Sequence, residues 1–144
     1  MKKIILVFAG IGIITLTAIT IKPSWTSDKS SATSKAEMNI EKYKACIEAC
    51  NTCINSCKKV GHICNKNDTM AHCKKLGKEC ITACTYAVGF MNANSILAKK
   101  KCLECAKVCE QHASECEKFN LPNCKKHARD CRKTAKLCTD VAKL

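Results

Sequence analysis

Residues 46–57 read CIEACNTCINSC, and the spacing in this stretch decides the fold. Cys46, Cys50, Cys53 and Cys57 lie four, three and four residues apart, with no glycine or proline between them. Residues three and four apart stack on one face of an α-helix, so the four thiols form a stripe along about three turns. The stripe runs on to Cys64 in alternating a and d positions of a heptad, with Val60 filling the one gap.

The pattern recurs three more times. After NKNDT (65–69), where Asp68 or Thr69 is placed to cap a helix, a second seam takes in Met70, Cys73, Gly77, Cys80, Cys84, Ala87 and Met91. Asn92, Asn94 and Ser95 mark its end and the next cap. The third seam holds Cys102, Cys105, Cys109 and Cys116, with His112 in the missing d position. NLPN (120–123) follows, and Pro122 suits a first helical turn. The fourth seam repeats in sevens, Cys124, Cys131 and Cys138, with His127 and Thr134 between them. Four sequential helices of roughly twenty residues with short connections predict an all-α fold, an antiparallel up-down-up-down four-helix bundle over residues 39–144. Its core is lined by cysteine where leucine normally stands. Ile40, Ile47, Ile54, Leu76, Ile81, Val88, Val108 and Leu137 flank the seams and are expected to supply most of the apolar burial.

The chain opens MKKIILVFAGIGIITLTAITIKPSW, two lysines and then an uncharged, mostly apolar run from Ile4 to Ile21. Residues 1–21 read as an export signal peptide or an uncleaved membrane anchor, since the run is just long enough to span a bilayer and lacks a clear A-x-A site. Both readings place the cysteines outside the cytoplasm, with membrane contact only through residues 4–21 if the segment stays attached. Residues 22–38, rich in Ser and Thr, read as a flexible linker.

Among 144 residues there are 25 Lys and Arg against 12 Asp and Glu, but the basic residues are spread along the chain and aromatics are few. That distribution argues against a nucleic-acid partner. With no Ser-His-Asp set, paired-carboxylate seam, phosphate loop or dinucleotide fingerprint, no enzyme is expected. The fifteen cysteines must therefore carry the function. A disulfide framework links distant segments, whereas these thiols run in stripes down every helix and their number is odd. Zinc wants four ligands converging from turns, and here the C-x-x-C pairs lie inside helices. Copper(I) is soft, prefers thiolates and is satisfied by two or three of them, so i, i+4 pairs or facing helices suffice. Two-coordination gives roughly seven ions if every thiolate is terminal and roughly fifteen if every one bridges.

The stretch CLECAKVCEQHASECEKFNLPNC (102–124), with NDTMAHCKK (67–75) and the CxxxCxxC of the first helix, resembles the cysteine-rich four-helix-bundle copper storage proteins. The resemblance covers the region from about Asn39 to Leu144. It implies a lumen binding many Cu(I) ions through cysteine thiolates, homotetrameric assembly, and export in members that stock copper for recipient proteins. His127 and Thr134 stand where the family often has further cysteines. His112 and His127 lie on the cysteine faces and join the thiols as candidate ligands. Met70 offers a soft thioether, and a mouth built around Met70, Cys64, Cys73 and His127 is expected near the first loop. His62 and His72 fall off the seam, and Met91 is expected to pack in the core at the other end. Two other readings stay open: a disulfide-linked helical interaction protein with a basic surface, and a general thiolate sequestration protein for zinc or cadmium.

Overall fold

The structure is a computed structural model that describes residues 29–144, with side chains from Glu41 onward. Four helices make up the described chain: α1 (Lys29–Cys64), α2 (Ala71–Asn92), α3 (Ala98–Cys116) and α4 (Pro122–Lys143), with a 3-10 turn, Asp68–Met70, ahead of α2. The signal or anchor segment, 1–21, and residues 22–28 lie outside the described residues. Residues 29–38, read above as linker, continue α1. No helix among the described residues is long and apolar enough to cross a membrane.

The connections follow from a few polar side chains. Asn67 caps the first: its Oδ1 accepts from the Thr69 amide at 3.0 Å and from the Thr69 hydroxyl at 2.7 Å. The cap is thus one residue earlier than Asp68, and it serves the 3-10 turn that leads into α2. Asn94 turns the chain between α2 and α3 with φ at 46°, a left-handed conformation that asparagine tolerates. Ser95 Oγ then accepts from the Leu97 amide at 3.2 Å. Pro122 opens α4, where its missing N–H costs no helical hydrogen bond.

Pairs across the lumen fix the topology. Cys46 at the start of the α1 seam meets Cys138 near the end of α4, and Cys53 meets Cys131. Between α2 and α3, Cys84 meets Cys105, Cys80 meets Cys109 and Cys73 meets Cys116. Rising numbers on one helix meet falling numbers on the next, so neighbouring helices are antiparallel. Each helix packs on its chain neighbours, and α4 closes onto α1. Of the flanking aliphatics Leu76 is buried, Ile47, Ile54, Ile81, Val88, Val108 and Leu137 pack only partly buried against this core, and the Ile40 side chain lies outside the described residues. Besides Ala87 of the second seam, alanines that the seam pattern did not foresee, Ala49, Ala98, Ala106, Ala113, Ala128 and Ala135, are buried between the helices. Small residues there let the backbones approach closely enough for short cysteine side chains to meet across the axis.

Candidate metal centre

All fifteen cysteines are buried and all are free thiols. The disulfide-linked arrangement left open by the sequence is not the one this structure adopts. Along the axis the sulfurs form layers. Cys46, Cys102 and Cys138 make one group and Cys50, Cys105 and Cys138 the next, while Cys53, Cys80, Cys84 and Cys109 bring four thiols within 4.8 Å of one another. Adjacent sulfurs lie 3.4 Å (Cys46–Cys138), 3.5 Å (Cys53–Cys131), 3.6 Å (Cys53–Cys80) and 3.9 Å (Cys105–Cys109) apart. Members of each pair come from facing helices or consecutive turns, the two geometries that helical spacing offers.

The column changes character at a layer of two imidazoles. His127 Nε2 lies 3.0 Å from His112 Nδ1, 3.2 Å from Cys131 Sγ and 3.5 Å from Cys57 Sγ. His112 Nε2 points the other way, 3.6 Å from Cys73 Sγ. Ser56, a residue that the seam pattern passes over, sets the tautomer. Its hydroxyl donates to the Cys53 carbonyl at 3.2 Å, so its oxygen accepts the Nδ1–H of His127 at 2.6 Å. The Nε2 lone pair of neutral His127 is thereby aimed into the lumen, the orientation a soft-metal ligand needs. Gly77 supplies the room: a Cβ there would stand 3.3 Å from His112 Cε1. Both histidines named from the sequence thus meet the thiols, while His62 and His72 are exposed.

Beyond the imidazoles come Cys73, Cys116, Cys64 and Cys124, with Met70 fully buried under the 3-10 turn. Of the four residues expected at a mouth, Met70, Cys64 and Cys73 share this end, and His127 stands deeper among the sulfurs. Met91 is fully buried at the opposite end, as a core residue. Thr134 takes a seam position without adding a soft ligand, its hydroxyl shared between the carbonyls of Ala49 at 3.1 Å and Asp130 at 2.9 Å.

At the first-loop end, burial holds the thiols in their protonated form. Burial, with the neighbouring Cys73 sulfur, pushes the Cys64 thiol up to about 12 and the Cys124 thiol up to about 11. In the middle of the column the thiols titrate as a set. Contacts with Cys109, Cys131, Cys53 and Cys57 favour the thiolate of Cys80, while Cys84 is driven up by Cys105 and Cys109. Burial opposes a charge on His112, but the sulfurs of Cys73 and Cys80 outweigh it and lift the imidazole to about 9. Burial, and then the His112 charge, hold His127 down. A proton on the pair therefore sits on His112, next to the sulfurs, and the Nε2 of His127 accepts from His112 Nδ1 at 3.0 Å.

The lumen is a stack of buried thiols with two imidazoles among them. The profile of the copper storage protein family, Csp, matches residues 38–143. The chain belongs to that family. Among solved structures it resembles apo copper storage protein 3 from Bacillus subtilis, at 33% identity over 69% of this chain and 98% of that one, with a TM-score of 0.66. A Cu(I)-bound form of the Bacillus subtilis protein matches at 32% identity over 70% and 98%, with a TM-score of 0.68. A Nitrosospira multiformis protein, Nmul_A1745, matches at 28% identity over 72% and 96%, with a TM-score of 0.65. No curated protein sequence matches the chain.

Proposed function

We propose that the chain is a non-catalytic reservoir for Cu(I), held as many ions per molecule by thiolates along the bundle axis. The observation that carries the reading is the sulfur column: fifteen free buried thiols, eleven of them 3.4 to 3.9 Å from another sulfur. Two- and three-coordinate thiolate sites form throughout such a column with small side-chain rotations, and bridging thiolates join one site to the next. The Cu(I)-bound relative from Bacillus subtilis supports the same cargo here. His112, His127 and Met70 complete the ligand set near the first loop. The N-terminal apolar run supports a location outside the cytoplasm and a role in stocking copper for recipient proteins, and the family resemblance supports a homotetramer.

The test is an anaerobic titration of reduced protein with Cu(I) against a chromogenic chelator. The expected result is roughly seven or more ions per chain. Saturation at one or two ions overturns the reading. One group favours a second reading, because the four thiols of Cys53, Cys80, Cys84 and Cys109 match the ligand number of a structural zinc site. Zinc or cadmium displacing Cu(I) in the same titration establishes general thiolate sequestration instead. Fractionation of cells expressing the full chain, followed by mass measurement of its N-terminus, tests export and cleavage.

A further inference from the structure

The lumen is closed at both ends and thinnest at its side. Met70 at one end and Met91 at the other have no exposed surface. Among the fifteen thiols only Cys64 at 4%, Cys57 at 2% and Cys46 at 1% have any exposure. Cys57 and Cys64 line one and the same cleft, of about 210 Å³, which lies between α1 and α2 and also reaches Cys73 and His112.

Two glycines hold this cleft open. A Cβ at Gly61 would meet nothing within 4 Å, and one at Gly77 would crowd His112. Glycine inside a helix is less stabilising than alanine, so Gly61, with open space around it, gives up stability where the wall is thinnest. The rim is cationic. Lys58, Lys74 and Lys78 are exposed around it and make no ion pair among the described residues, and no carboxylate lines the cleft.

We propose that this cleft is the port through which Cu(I) passes between solvent and lumen, and that the carrier it accepts is a low-molecular-mass, anionic thiolate complex of Cu(I). The proposal rests on the storage reading and adds the route and the carrier to it. A bis-thiolate complex, [Cu(SR)2]⁻, is negative, and three unpaired lysines raise its local concentration at the rim. The cleft is smaller than the roughly 300–1,000 Å³ of pockets that enclose a drug-sized ligand. It therefore takes the metal-bearing sulfur end of a carrier whose remainder stays in water. Inside, His112 stands between Cys57, 3.8 Å from its Nδ1, and Cys73, 3.6 Å from its Nε2. The exchange balances without any redox partner. Two protein thiols and one [Cu(SR)2]⁻ give one protein bis-thiolate Cu(I) unit, again with charge −1, and two RSH. Two Cu–S bonds form, two break, and each protein proton departs on a carrier sulfur, so no proton is stranded in the dry lumen.

Timed anaerobic transfer of Cu(I) to the reduced full chain tests this with two carriers, the anionic glutathione complex and the cationic acetonitrile complex. The triple variant K58E/K74E/K78E is expected to load about tenfold more slowly from glutathione and no more slowly from acetonitrile. Gly61→Phe, which fills the cleft from a position with free space, is expected to slow loading from both. Final copper per chain should match the unaltered protein in each case. Equal rates for all variants overturn the port, and equal slowing of the triple variant with both carriers overturns the anionic carrier. The unaltered protein gives an independent readout: limited alkylation with iodoacetate should label Cys64 and Cys57 first, and first labelling at Cys124 or Cys46 overturns the port. A chain that never holds more than one or two ions fails as a store, an outcome distinct from altered rates at full capacity.

Discussion

Each side chain in the lumen has a partner that decides its chemistry, and removing the partner tests the assignment. Ser56 is the instructive case. Ser56→Ala leaves the Nδ1–H of buried His127 without an acceptor, which costs about 1–3 kcal/mol in chemical denaturation of the apo protein. Thr134→Val is nearly isosteric and removes only the hydroxyl that bonds the Ala49 and Asp130 carbonyls, so its expected cost is nearer 1 kcal/mol with copper capacity unchanged. Cys80→Ala does the reverse. Cys80 touches Cys53 and Cys109, and its loss should lower the bound copper by about one ion in the chelator titration while the helices persist. At this scale the sequence was legible wherever a residue type carries its own chemistry. Cysteine, histidine and methionine on a helical stripe announce a lumen of soft donors, and His112 and His127 were placed among the thiols on that basis. Ser56 was not, because serine three residues after a seam cysteine is most simply a solvated flank, and only the arrival of His127 from α4 gives it a role.

Between helices, the two glycines make opposite predictions from the same substitution. Gly61→Ala gains helix propensity in open space and should raise the unfolding midpoint of the apo protein. Gly77→Ala gains the same propensity but sets a methyl 3.3 Å from an imidazole already held by Cys73 and His127, so its midpoint should stay level or fall. Thermal melts of the two variants, followed by circular dichroism, make the comparison. Arg132 on α4 joins Glu110 of α3 and Glu117 just beyond its end, yet all three are well exposed and the contact adds little. Helix number, order and most boundaries were readable, because a seam periodicity of three and four persists until a proline or a cluster of Asn and Ser interrupts it. The cap at Asn67 and the 3-10 turn were not. Asn67, Asp68 and Thr69 all have side chains able to cap, and the choice among them rests on how Met70 must turn inward to close the end of the bundle.

For the molecule as a whole, the raised thiols predict how stability responds to base. Cys64 and Cys124 have folded values of about 12 and about 11 against 9.0 for a free thiol, so the unfolded chain sheds these protons first. The stability they contribute is fully present below about pH 9 and is lost as pH rises from there to about 12. The apo melting temperature should therefore fall steeply between pH 9 and 11 and change little between pH 7 and 8. Copper-loaded protein, whose thiols are already deprotonated and bound, should melt higher than apo at every pH and follow a flatter curve. Far-ultraviolet circular dichroism should barely differ between the two, since the alanine-lined helix contacts and flanking aliphatics are complete without metal. The sulfur column has one more consequence, and it concerns time. From Cys46 to Cys57 the sulfurs follow one another layer by layer, the imidazoles of His112 and His127 carry the column on to Cys73, and the side cleft touches it near that end, at Cys57 and Cys73. An ion bound at the far end leaves only by stepping through the positions filled after it. The bundle is then a last-in, first-out memory: two copper isotopes added in succession should emerge in reverse order when a chelator draws the metal back out.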